Sequence, residues 1–355
     1  MKKIDVVLLA TVVLLTLFGF FMIYDASSFV AFRDFTDKYH YVKQQFMWVI
    51  LGFAGLFGFS LFNYKKLYSL ALPGILIVLV LLCMVFIPGI GVRLLGGGRW
   101  IHVGNFALQP AEFMKLALAI YLAAWCSRKE RGRFLAFLLL LILILVLVIL
   151  EPDMGTAAVI LSEAVGIYFL SGSSIVEFAY LFPVIFGAGF FAIKLAPYRL
   201  KRLESFLNLS DSIQSSSYHT RQILIALGSG GIFGVGLGNS LQKFAYLPET
   251  TTDSIFAIIA EELGFVGAIF LIAMFVLILW RGFSIALKTK DNFGRLLAGG
   301  ITTFLGVQTL INLASQTALL PLTGIPLPFI SYGGSALIVD LCSIGILLNI
   351  SKNTS

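Results

Sequence analysis

LPETTTDSIFAIIAEELG, residues 247–264, is apolar enough in its second half to enter a bilayer, yet it carries Glu249, Asp253, Glu261 and Glu262. A stretch of this kind belongs either to a soluble helix or to a membrane span whose carboxylates serve a purpose. Composition decides between them. The 355 residues are 59% apolar and 12% charged, against about 45–50% and about 25% in soluble domains. The chain therefore reads as a polytopic membrane protein.

Working outward from residue 264, runs of about 20 apolar residues, the length that crosses ~30 Å of hydrocarbon, recur ten times. They cover residues 6–25, 44–62, 69–88, 110–126, 134–150, 155–171, 174–193, 254–280, 296–316 and 329–350. The fold expected is all-α with ten transmembrane helices in a single unit, 1–355, and a large extracytoplasmic loop at 194–253. No fixed-period repeat, low-complexity tract or soluble domain interrupts it. The first run is too long for a signal-peptide core and reads as an uncleaved helix.

Lysine and arginine orient the spans. With a cytoplasmic N-terminus, thirteen fall on the inner side and five (Arg33, Lys38, Lys43, Arg93 and Arg99) in short outer loops. Both termini thus read as cytoplasmic. The net charge of +7 is explained by inner loops facing anionic membrane lipids, with no nucleic-acid module in view. Cys83, Cys126 and Cys342 lack paired spacing, and His40, His102 and His219 are scattered, so neither a disulfide framework nor a zinc site is indicated.

Two outer loops stand out. IPGIGVRLLGGGRWIHVGNFALQPAE sets Arg99 and Trp100 among glycines. In the second, PYRLKRLESFLNLSD repeats leucine at helical spacing beside Arg199, Lys201 and Arg202; it reads either as a basic interfacial helix or as a charged, snorkelling loop. LGSGGIFGVGLGNS follows, but without a strand or βαβ unit it is no dinucleotide motif. Its glycines point to close backbone packing or a bent re-entrant path.

Ionisable residues inside spans mark sites or buried pairs. Glu112 and Lys115, one turn apart, suit a structural ion pair. Glu151 and Asp153 lie at a helix junction in LEPDMGTA, where Asp153 suits a cap. Glu163, Glu261, Glu262 and Asp340 lie deeper, and Glu261, ~12 Å beyond Asp253 at 1.5 Å per residue, needs an internal partner. Asp253 has two readings: the N-cap of the eighth span, or a general base whose partial desolvation raises its pKa.

GGGRWIHVGNFALQPAEFMKL, LEPDMGTA, YLPETTTDSIFAIIAEELG and NLASQTALLPLTGIPLPFISYGGSAL together resemble the SEDS family, the shape, elongation, division and sporulation proteins that include FtsW and RodA. The most specific block ends at Ser331, Tyr332, Gly333, Gly334 and Ser335. The resemblance covers essentially the whole chain, and LGNSLQKFAYLPE is closer to the FtsW division branch. It implies a peptidoglycan glycosyltransferase of the bacterial cytoplasmic membrane that polymerises lipid II at the outer face and works with a class B penicillin-binding protein. The family's essential aspartate falls on Asp253. Family members commonly carry His before the Thr-Asp pair; Thr251 stands there, so that role is absent or relocated.

On that reading Asp253 is the catalytic base, while Arg99, Trp100, Lys243, Glu249, Ser331 and Tyr332 are candidate substrate contacts. Glu112, Lys115, Asp153, Gly333, Gly334 and Ser335 support them. No organic cofactor is called for, and a divalent cation, Mg or Mn, could join Arg99 and Lys243 in stabilising the pyrophosphate leaving group. Two other classes stand as alternatives: a lipid II flippase using Lys115, Glu112, Glu163 and Glu262, and a non-catalytic scaffold for a penicillin-binding protein.

Overall fold

The computed structural model describes residues 4–94, 97–104, 106–128, 132–194, 200, 206, 215–244 and 247–353. The helices are α1 (Val6–Phe35), α2 (His40–Leu61), α3 (Leu67–Met84), α4 (Pro110–Cys126), α5 (Phe134–Leu150), α6 (Met154–Leu170), α7 (Ile175–Lys194), α8 (Ser215–Ser229), α9 (Ile255–Lys288), α10 (Asn292–Gln316) and α11 (Gly334–Ser351). A short 3-10 turn, Tyr64–Lys66, precedes α3. Each of the ten apolar runs falls on one of these helices. Among the described residues, six segments are long and apolar enough to cross a bilayer, and three more are apolar but shorter. The chain is a helical integral membrane protein.

Starts and stops follow local chemistry. Asp5 caps α1 by accepting from Leu8 N at 3.0 Å, Asp291 caps α10 through Gly294 N at 2.8 Å, and Pro110 opens α4, where its missing N–H costs nothing. Large apolar side chains of α2, α3 and α5 face outward, among them Leu61, Leu72, Ile77, Leu135 and Leu139, as a lipid-solvated surface requires. Helix α11 is buried almost throughout and forms the centre with α4, α6 and α10.

The loop between α3 and α4 departs from the all-α expectation. It folds as an antiparallel meander of β1 (Gly91–Leu94), β2 (Gly97–Val103) and β3 (Phe106–Leu108), with Trp100 opposite Val92 and Ile101 opposite both Gly91 and Leu108. Three short strands can satisfy one another's backbone where an open loop would need water. The proposed basic helix at residues 197–211 lies almost wholly outside the described residues.

The eighth run differs most from its reading as one uninterrupted span. Helix α9 breaks at Gly264 (φ 68°, ψ −168°), and the glycine-rich segment after α8 is woven into the break. Val235 N donates to Glu261 O at 3.0 Å and Gly236 N to Glu262 O at 3.0 Å. In return, Phe265 N donates to Gly231 O at 2.9 Å and Val266 N to Ile232 O at 3.1 Å. Four backbone groups orphaned by the break are thereby satisfied at membrane depth, where each unpaired group would cost several kcal/mol. The close approach demands glycine: a Cβ on Gly234, itself at φ 82°, would collide with the Glu262 carbonyl, and one on Gly264 with Gly234 N. Of the two readings of LGSGGIFGVGLGNS, close backbone packing is the one these contacts display, and residues 230–236 are not a free loop.

Ion pairs fasten α1 to α9 at two places. Arg281 donates to Asp5 at 2.8 Å. At the other place Lys243 lies 2.9 Å from Asp25 and 3.0 Å from Glu262. Asp5 and Asp25 are 20 residues apart, about 30 Å at 1.5 Å per residue, which matches the ~30 Å hydrocarbon thickness. The two clusters thus stand about one hydrocarbon thickness apart along α1, and Asp253 precedes Glu262 by nine residues at the Lys243 side of the molecule.

Candidate functional site

Asp253 sits on the turn leading into α9, half-buried. The N-cap position of α9 is Ser254, which makes no side-chain cap bond. The segment is held by backbone grips instead. The Thr251 carbonyl accepts from Tyr332 N at 2.8 Å, the Thr252 carbonyl from the Ser331 hydroxyl at 2.6 Å, and the Asp253 carbonyl from Asn312 Nδ2 at 3.3 Å and from Gln316 Nε2. The carboxylate faces Gly324, where an added Cβ would stand 3.4 Å from Asp253 Oδ2; Gly324 is at φ 76°, so glycine suits both the turn and the contact.

This seat explains the family block at 328–335. Ser331 also accepts from Leu327 N at 2.9 Å, closing its own turn while holding Thr252. Tyr332 donates its phenol O–H to Gln44 Oε1 and stands edge-on to Tyr41. Gly333 precedes α11, Gly334 lies against the Trp48 indole too closely for any side chain, and the Ser335 hydroxyl accepts from Gln109 N at 3.0 Å. Ser331 and Tyr332, candidate substrate contacts in the sequence, hold the Asp253 turn.

The three amides reaching this region recur every fourth residue on α10. Gln316 and Asn312 hold Asp253 O; Asn312 also donates to Ile325 O at 2.8 Å, and Gln308 donates to Pro326 O at 3.1 Å. Gln308 accepts in turn from Lys115 Nζ at 2.5 Å, and Lys115 pairs with Glu112 at 2.7 Å. The buried pair thus braces the 324–327 turn from below. Sequence reading had not singled out this polar stripe, although three amides at i, i+4 and i+8 in an apolar helix are its signal.

Arg99, from β2, donates Nε to Glu151 O at 3.0 Å and Nη2 to Pro152 O, with Nη1 3.7 Å from Asp153; its side chain remains 26% exposed. Trp100 is half-buried beside it. Asp153 caps α6 through Thr156 N at 3.0 Å, as its sequence context suggested, and accepts from Gln109 Nε2 at 2.9 Å. Gly155 packs on Ile325 and Thr323, joining this network to the turn under Asp253. Glu249 is exposed at φ 51°; its carboxylate accepts from the Thr252 hydroxyl at 3.0 Å.

Lys243 is placed differently from its expected role as a pyrophosphate contact. It is buried and committed to Asp25 and Glu262, whose hydrogen bonds, against the cost of burial, raise its pKa. The internal partners expected for Glu261 are the Ser240 hydroxyl and Leu241 N (3.3 Å), with the Ser229 hydroxyl at 3.4 Å. Among the described residues no group of three or more His, Cys, Asp or Glu is arranged to hold a metal ion.

Glu151 is fully buried at the α5–α6 junction, and neither carboxylate oxygen has a hydrogen-bond partner among the described residues. Burial first, then the Asp153 charge, pushes its pKa up to about 8 against the opposing pull of Arg99. The folded protein keeps a proton that the unfolded chain releases near 4.5. Stability is therefore full below that pH and falls as pH rises to about 8, by up to about 1.4 kcal/mol per unit. Glu151→Gln is expected to flatten that slope, with a thermal midpoint above wild type at pH 8.5 and a smaller gap at pH 5. Parallel pH dependences would overturn the assignment.

Comparison with known proteins agrees with this geometry. Residues 5–355 match the FtsW/RodA/SpoVE family, described as cell cycle proteins. The stage V sporulation protein E of Bacillus subtilis (strain 168) is 39% identical over 98% of this chain and 97% of its own. The probable peptidoglycan glycosyltransferase FtsW of Trichlorobacter lovleyi is 38% identical over 99% and 94%. Among solved structures, a chain of a peptidoglycan synthase complex superposes with a TM-score of 0.81 at 26% identity, covering 99% of this chain and 98% of that one. The rod shape determining protein RodA of Thermus thermophilus superposes at 0.72 with 27% identity over 99% and 98%.

Proposed function

The chain belongs to the FtsW/RodA/SpoVE family of cell cycle proteins, and we propose that it is a peptidoglycan glycosyltransferase, serving division or cell shape, whose general base is Asp253. The observation that carries the assignment is the seat itself: three side chains and one backbone N–H converge on the carbonyls of residues 251–253 and leave Asp253 half-buried rather than enclosed. Oriented by the excess of lysine and arginine on the opposite side, both termini are cytoplasmic and Asp253 faces outward.

The substrate is lipid II. The C4 hydroxyl oxygen of the acceptor sugar attacks the anomeric carbon of the donor, the bond from that carbon to the polyprenyl pyrophosphate breaks, and the hydroxyl proton passes to Asp253. Attack opposite the leaving group inverts the α-linked donor to a β-linked strand. Arg99, with Trp100 beside it, is the sequence-predicted cation that keeps an exposed side chain; it supplies positive charge for the pyrophosphate. Glu249 is exposed four residues before the base. A divalent cation, Mg or Mn, would be drawn from solution or substrate. The resemblance to a chain of a synthase complex supports a class B penicillin-binding protein as partner.

The test is purified lipid II incubated with this protein and a class B partner whose transpeptidase site is dead. Glycan strands are expected. Their absence from a complex shown to bind lipid II would overturn the reading in favour of transport or scaffolding.

A further inference from the structure

We infer that His219 is a positioning residue for Asp253, acting through Ser254; the inference rests on Asp253 being the base. Helix α8 brings His219 Nε2 to 2.7 Å from Ser254 Oγ, the tautomer deciding which of them donates. Ser254 is fully buried. It occupies the N-cap of α9, where a serine hydroxyl ordinarily accepts from an N–H of the first helical turn, yet it makes no cap bond. Its hydroxyl serves His219 instead.

A serine and histidine at this distance could also be a nucleophile and its base. Burial argues against that, because a hydroxyl closed off from solvent has no route to a sugar. The place of the bond in the chain points to a different use. The grips on Thr251, Thr252 and Asp253 come from Tyr332, Ser331, Asn312 and Gln316 and take hold of backbone carbonyls before and at the base. Ser254 is the next residue, and its own N–H donates to Glu249 O at 3.1 Å. The His219 contact holds the far side of Asp253 by a side chain from another helix. With both neighbours fixed, the backbone that carries the carboxylate is fixed as well. Without His219, the backbone on the α9 side becomes a hinge, and small displacements of a catalytic group are costly: about 1 Å can lose ~100-fold in rate.

The experiment measures lipid II polymerisation kinetics of the complex with its partner, alongside its thermal midpoint. His219→Ala is expected to lower kcat about tenfold or more with KM within about twofold. His219→Gln, whose amide nitrogen can occupy the Nε2 position, is expected to recover most of kcat. Ser254→Ala should match His219→Ala, and the double variant should lose no more than either single one. Wild-type kcat in His219→Ala overturns the inference, as do additive losses. It is equally overturned if Gln restores the thermal midpoint without restoring kcat, since His219 would then be a brace alone. Asp253→Asn separates the two readings: inactive Asp253→Asn with fully active His219→Ala leaves the base in place and removes His219, whereas active Asp253→Asn removes the base itself.

Discussion

Asp253→Asn is expected to abolish glycan polymerisation while the protein folds normally and binds lipid II. Asparagine keeps the size of the side chain, and the carbonyl held by Asn312 and Gln316 belongs to the backbone, which the substitution leaves alone. Only the capacity to take a proton is removed. General-base contributions are typically 10²–10⁴-fold, enough to bring strand synthesis below detection in an end-point gel assay. The comparison needs single-turnover rates with bound lipid II quantified separately. A fully active Asn variant would transfer the proton to water or to another group and remove Asp253 from the mechanism.

The largest stability effect is expected at Lys243. Replacing it by methionine leaves Glu262 buried and Asp25 nearly so, without the cation that each lies within 3.1 Å of. Removing one partner of a buried ionic cluster typically costs about 3–5 kcal/mol, because the charge left behind has lost its hydration and its counter-charge. Taking away the stranded charges as well should return most of that loss. The triple variant Asp25→Asn, Lys243→Met, Glu262→Gln is therefore expected to melt well above Lys243→Met in a thermal scan. If Lys243→Met instead keeps its melting temperature and loses only activity, Lys243 contacts substrate as its position in the sequence suggested.

That contrast shows where sequence reading reaches and where it stops. The ten apolar runs were readable because a run of twenty apolar residues has few alternatives, and each meets a helix. Asp253 is singled out by its motif, but its seat is not legible there. Gln308, Asn312 and Gln316 share one face of α10, and nothing short of tertiary packing says which turn that face meets. Lys243 illustrates a deeper limit. A lysine in a predicted outer loop looks solvent-exposed, yet its partner Asp25 lies 218 residues away. The break at Gly264 was hidden for a related reason: a glycine in an apolar run signals close packing as readily as interruption, and the segment that fills the gap precedes it by some thirty residues. His219 was passed over as one of three scattered histidines.

The woven break also constrains how the protein is made. When the Gly264 region of α9 emerges during synthesis, residues 230–236 have already been produced, so the donors and acceptors that complete the helix are waiting at the membrane. Were the chain order reversed, a broken helix would have to linger in lipid with open carbonyls until its complement arrived. A fragment that starts after residue 238 lacks that complement, and its residues from 255 to 288 would have to insert as a different structure, straightened through Gly264 into one continuous helix. Separately expressed halves of this protein would therefore be divided to most advantage before α8, keeping the glycine segment and α9 on the same polypeptide.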